Sequence, residues 1–193
     1  MQFSLAYLGP SGSYTHEAAM NYARTQDVSL ISHTTISDVF NDVLSGSATH
    51  GVVPIENSTN GSVTMTFDLF RDLNHDNLKV CGEEFVSVKH ALLGQSQLGE
   101  IERIYSHPQV TVLGSCSNCL KAFGQCELWL DKNLKGVERI NVSSTSAAAR
   151  ILASDPKGAA ISSKICAELY NTKIIAEDIQ NTKGALIEQF KGS

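Results

Sequence analysis

The chain lacks the features that mark several large classes of protein. Twenty acidic residues against 15 basic ones leave a net charge of −5, and no lysine or arginine cluster is longer than a pair. A nucleic-acid surface needs clustered positive charge to displace counterions from phosphates, so that class is set aside. No apolar run approaches the ~20 residues needed to cross a bilayer. The N-terminal MQFSLAYLG has neither a basic leader nor a long apolar stretch. The expectation is therefore a cytoplasmic protein with no membrane partner. Cysteines number five, at Cys81, Cys116, Cys119, Cys126 and Cys166, and an odd count does not read as a disulfide framework. Cys116-x2-Cys119 with Cys126 downstream lacks the second pair that a four-ligand zinc site needs, so reduced, partly buried thiols and no metal are expected.

What is present is ordinary for a folded domain: 42% apolar and 18% charged residues in a chain of 193, long enough to bury a sizeable core. Strand-length apolar runs alternate with segments of helical period. Strands are predicted at Phe3 to Leu8, Val28 to Ser32 and Val52 to Ile55. Helices are predicted from Thr15 to Ala23, from Thr35 to Leu44 (stopped by Gly46) and from Val63 to Leu73. This β-α-β-α-β-α order predicts a parallel sheet covered on both faces. From Leu78 to Leu93 the pattern is extended without a helix. It then returns to strands at Ile101 to Ser106, Val137 to Val142, Ala159 to Ser162 and Lys173 to Ile179. Helices intervene at Val110 to Phe123, Thr145 to Ala153 and Ile165 to Tyr170. No internal repeat is evident. The reading is two α/β lobes around a cleft, joined through residues 80 to 95: about 1–80 plus the C-terminal segment, and about 85–175.

Four polar stretches stand where predicted strands end and helices begin: GPSGSYTHEA (9 to 18), ENSTNGSV (56 to 63), SHPQV (106 to 110) and SSTSAAAR (143 to 150). The first supplies two glycines for close approach, then hydroxyls. The third places Ser106, His107 and Gln109 together. Any one of them, taken alone, reads more readily as a plain helix N-cap. GPSGS is neither a dinucleotide fingerprint nor a P-loop. Four such loops, two per lobe, describe a surface of amides, hydroxyls and free N–H groups poor in lysine and arginine, suited to a small carboxylate.

In order and spacing these motifs resemble the catalytic domain of the prephenate dehydratase family. LGPSGSYTHEAA is similar to the family's LGPxGTYS-type loop, GVVPIENSTNGSV to its PIENS-x-x-G-x-V motif, and YSHPQV to SHPQ. VSSTSAAAR matches its helix start, and AAISSKICAELYNTKIIAEDIQN its closing I-Q region, so the resemblance spans about residues 5 to 181. It implies two α/β lobes resembling periplasmic-type binding proteins and conversion of prephenate to phenylpyruvate, on the route to phenylalanine. It implies no metal or organic cofactor. By the same resemblance Asn57 and Gln109 surround the substrate, and Ser13, Tyr14, Glu56 and Ser58 line one wall. Ser144, Thr145 and Ser146 hold a carboxylate, and His107 orients the Gln109 loop.

The family's N-x-T-R-F motif, whose Thr is assigned to the departing hydroxyl, has no counterpart. Leu186-Ile187-Glu188-Gln189-Phe190 stands in its place, and the family's ACT regulatory domain has no match either. Glu188 is then a candidate acid or a solvated tail residue. The alternatives to a dehydratase are a prephenate decarboxylase-like enzyme and an inactive small-acid-binding relative. Leu186, Ile187 and Phe190 have helical spacing, GALIEQF looks like the start of an ACT helix, and a tail without a strand to complete suggests packing against a second copy in a homodimer.

Overall fold

The computed structural model describes residues 3–23, 27–57, 61–75, 77–107, 125–181 and 186–192. The chain divides into two compact units, Met1–Val88 with Gly184–Ser193, and Lys89–Lys183.

The first unit runs β1 (Phe3–Leu8), α1 (Tyr14–Ala23), β2 (Val28–His33), α2 (Ile36–Leu44), β3 (His50–Asn57), β4 (Gly61–Ser62), α3 (Thr64–Arg71), β5 (Val80–Ser87) and, from the far end of the chain, β11 (Leu186–Gly192). The strand order is β2-β1-β3-β11-β5, with β4 paired to β3. Strand β1 lies parallel to β2 and to β3, whereas β11 is antiparallel to both β3 and β5. The sheet is therefore mixed, not parallel throughout. Alternation along β1 sends Leu5 and Tyr7 to one face, with Ala18, Ala19 and Val52. It sends Ala6 to the other, with Ile36, Val39, Phe40 and Val53. Helix α2 starts where the Thr35 side chain accepts the Asp38 N–H, and Gly46 at φ +75° follows its end.

Leu186–Gly192 corrects the sequence expectation. The spacing of Leu186, Ile187 and Phe190 suggests a helix, but the segment is the strand between β3 and β5. Periodicity cannot separate strand from helix in so short an apolar run. Two open backbone ladders, each needing partners for its N–H and C=O groups, decide the matter. At the carboxyl half of β3 the register shifts: Glu188 pairs with Glu56 and Gln189 with Pro54, leaving Ile55 as the extra residue of a bulge. A proline inside a central strand is tolerated at such a break. The Pro54 carbonyl accepts the hydroxyl of buried Thr66 at 2.7 Å.

The second unit runs β6 (Ala91–Gly94), β7 (Arg103–Ser106), α4 (Glu127–Asn133), β8 (Glu138–Asn141), α5 (Thr145–Ile151), β9 (Gly158–Ser162), α6 (Ile165–Leu169) and β10 (Lys173–Ala176). The order is β10-β6-β9-β7-β8. Strands β8, β7 and β9 are parallel, and β6 is antiparallel to both β9 and β10. Reversed, this order is the plan of the first sheet. In each unit three parallel strands are followed by one reversed strand and a fifth that resumes the original direction. The reversed strand is in both cases the one formed just after the chain crosses from the other unit.

Helix α4 was not anticipated. Its signal is the i, i+4 stripe Cys126, Leu130 and Leu134, all buried against Leu92, Ile104 and Ile161. The expected helix from Val110 to Phe123 lies outside the described residues, as do Cys116 and Cys119. Cys126 packs as a core residue, and burial pushes its thiol up to about 12, away from the thiolate a metal would need. Cys166 is buried on the opposite face of the sheet, among Leu93, Tyr105, Ala149 and Leu152.

Candidate active site

Parallel strands share a direction, so their carboxyl ends lie along one edge of a sheet. In the first unit the loop after β1 and the carboxyl end of β3 fall on the same edge, because β1 and β3 are parallel neighbours. Ser13 and Tyr14 are thereby on the same sheet edge as Glu56 and Asn57. In the second unit β7 and β8 are paired from Arg103↔Glu138 to Ser106↔Asn141. The Val142 N–H continues that ladder onto the Ser106 carbonyl at 2.9 Å. His107 and the Ser144–Ser146 segment thus follow adjacent strand ends.

The first loop is built on its own backbone. Gly9 passes so close to β2 that a Cβ would meet the Ser32 hydroxyl at 2.1 Å, and its N–H donates to the His33 carbonyl at 2.7 Å. Gly12 takes φ +85°, a conformation that L side chains resist. Ser13 caps α1: its hydroxyl donates to the Leu8 carbonyl at 3.2 Å and accepts the His16 N–H at 3.1 Å. Tyr14 is half-buried beside the Leu5, Ala18 and Ala19 cluster.

The second loop differs from expectation in form. Glu56 and Asn57 belong to β3 rather than to a polar turn, and the chain folds back so that Asn57 faces Gly61 and Glu56 faces Ser62. Among the described residues no atom lies within 4 Å of a Cβ added at Gly61, which takes the positive φ of +77°. Asn57 is half-buried and Glu56 exposed. Glu188 lies in β11 opposite Glu56 on one side and Phe85 on the other. Ser58 and Gln109 lie outside the described residues.

In the second unit His107 is half-buried directly after β7. Ser144 caps α5, its side chain accepting the Ala147 N–H at 2.9 Å. Thr145 is half-buried and Ser146 buried. Ser106 of the SHPQV stretch is joined by a second strand-end hydroxyl, Ser162, which the sequence did not single out. Ser106 and Ser162, at the carboxyl ends of β7 and β9, are both 0% exposed, and neither Oγ has a hydrogen-bond partner among the described residues. Such atoms are rare in folded proteins, because each forfeits its hydration without replacement. Only their serine identity at a strand end could have signalled them.

The closing I-Q region has a structural role. Gln180 Oε1 accepts the His90 N–H at 2.9 Å, the Ile179 N–H donates to the His90 carbonyl at 3.1 Å, and His90 Nε2 meets Gln125 Oε1 at 2.6 Å. Asn181 Oδ1 accepts the Leu128 N–H at 3.2 Å. These bonds tie the segment leaving the second unit to the segment entering it. Burial lowers the His90 pKa, and the Gln125 hydrogen bond opposes that shift only in part.

Two mixed α/β sheets of one plan, each with polar side chains at the carboxyl ends of its parallel strands, belong to the class of α/β folds in which ligands commonly bind beyond those strand ends. The chain belongs to the prephenate dehydratase family, whose model matches residues 5–186. It is 33% identical over 186 residues to the bifunctional chorismate mutase/prephenate dehydratase of Aquifex aeolicus, covering 94% of this chain and 46% of that protein. The chain thus spans about half the length of such curated relatives. The crystal structure of prephenate dehydratase from Arthrobacter aurescens, in complex with L-Phe, superposes with a TM-score of 0.81 at 30% identity, over 98% of this chain and 59% of that one. A protein described as a novel type of quorum quenching acylase shares the fold, with a TM-score of 0.79 at 23% identity over 98% and 63% of the two chains. The fold alone therefore does not fix the reaction.

Proposed function

We propose that the chain binds prephenate and converts it to phenylpyruvate, CO2 and water. Membership of the prephenate dehydratase family over nearly the whole chain is the observation that carries this reading. In the proposed reaction the ring carboxylate leaves as CO2, and the electrons of its C–C bond enter the ring. The C4 hydroxyl departs with a proton as water, and the ring becomes aromatic. Such a reaction asks the protein to position two carboxylates, aim a donor at the departing oxygen and exclude stray water.

Asn57 and Gln109 are the proposed hydrogen-bonding residues around the reacting ring. Tyr14, Glu56, Ser58, Ser106 and His107 complete the polar lining, and Thr145 and Ser146 supply hydroxyls for a carboxylate. Ser13 and Ser144 act through the loops they cap. Glu188 is the nearest candidate for the acid at the departing hydroxyl, in place of the family's Thr, because β11 sets its backbone beside Glu56.

Purified protein incubated with prephenate tests this, with phenylpyruvate followed by its alkaline absorbance and CO2 measured in parallel. Both products above the spontaneous background are expected. CO2 without phenylpyruvate would instead indicate a decarboxylase, and prephenate binding with neither product an inactive relative.

A further inference from the structure

His16 stands in the first turn of α1. It is 5% exposed, in a first turn that otherwise carries Tyr14, Thr15 and Glu17. Its Nδ1 lies 3.0 Å from the Gly12 N–H, which donates to it. A ring nitrogen that accepts an N–H carries no proton, so the ring proton sits on Nε2. The ring is also packed on Tyr7, with centroids 4.9 Å apart, and the Tyr7 hydroxyl lies 3.0 Å from Ser11 Oγ. Position, tautomer and orientation are thereby all set from one side of the imidazole. Burial lowers the pKa of the ring, in the direction that favours the neutral form this hydrogen bond requires. Among the described residues nothing accepts from Nε2.

We propose that His16 is a substrate-contacting residue, whose Nε2–H donates to a carboxylate oxygen of the substrate held at the carboxyl end of β1. The inference rests on the prephenate reading and names one more donor of that site. A neutral imidazole releases its remaining proton far too reluctantly to act as an acid, so the role is binding and alignment. An uncharged donor of fixed direction suits a loop lined by hydroxyls, since it orients a carboxylate without requiring a buried cation.

Two substitutions separate this from a loop-anchoring role. Asn at position 16 sets its amide oxygen near the place of Nδ1 and keeps an acceptor for Gly12, but has no distal donor. Gln sets its amide N–H near the place of Nε2 and keeps the distal donor. With thermal melts confirming that both variants fold, kcat/KM for prephenate is expected to fall about 10- to 100-fold in His16→Asn and to stay within about threefold in His16→Gln. Unchanged turnover in His16→Asn, or an equal fall in both variants, would overturn the inference while leaving the prephenate reading intact. Long-range 1H–15N spectra of the wild-type protein give a readout that does not depend on turnover. An Nε2–H tautomer whose resonance shifts when prephenate is added supports the inference, and an Nδ1–H tautomer or an unmoved resonance contradicts it. Absence of product with a shifted His16 resonance would count against the reaction and not against the contact.

Discussion

Asp155 shows how single side chains set the local frame of the second unit. Its carboxylate accepts from Arg103 Nε and Nη2 at 2.8 Å each and from the Tyr105 hydroxyl at 2.8 Å. Gly158 lies close enough that a Cβ would meet Asp155 and Tyr105 at 2.8 Å. The Arg103 hydrogen bonds, with Tyr105 assisting, hold the Asp155 carboxyl well below the usual carboxylate range. A folded-state pKa below the unfolded one adds stability above the unfolded value of about 4, and that stability is lost as pH falls towards the folded value. Asp155→Asn is therefore expected to be less stable than wild type at pH 7, with the gap closing below about pH 4, as measured by urea titration at each pH. At this scale the sequence was readable where chemistry is local. Ser144 and Ser13 sit at helix starts and both serve as caps. It was unreadable where burial decides, because nothing in the local sequence separates Ser106 and Ser162 from solvated serines, or His16 from a surface histidine.

At the scale of elements, β11 has the largest consequence for the first unit. It fills the place between β3 and β5, paired with β3 from Ile187 to Gly192 and with β5 from Leu186 to Gly192. Phe190 pairs with Val53 on one side and Glu83 on the other. Proline there removes a ladder N–H and leaves a buried acceptor without a partner, at a cost of about 1–3 kcal/mol before any steric clash. Phe190→Pro is expected to lower the denaturant midpoint and to open amide exchange in β3 and β5 but not in β7 and β9. Equal loss of protection in both sheets would contradict that assignment. The parallel strands β1 to β3 were legible because each is a bounded apolar run followed by a helix of clear period. The tail was not, since its identity depends on strands more than 90 residues away. The β-α-β-α-β order implies parallel pairing of β1, β2 and β3, which the sheet has, and the returning chain adds the reversed strand β11.

For the whole molecule, two units with separate cores carry the same strand plan, and each gathers its uncharged polar groups at one sheet edge. In the proposed function, neutral donors rather than lysine or arginine are accordingly given to the two carboxylates of prephenate, with Asn57 among them in the first unit. The most direct test is kcat/KM for phenylpyruvate formation from prephenate in wild type and Asn57→Ala, with folding of both confirmed by thermal melts. A loss of about 100-fold or more is expected on removing an aligned donor from the reacting centre. Equal turnover by the two proteins, or no phenylpyruvate from the wild type above the spontaneous background, would contradict it.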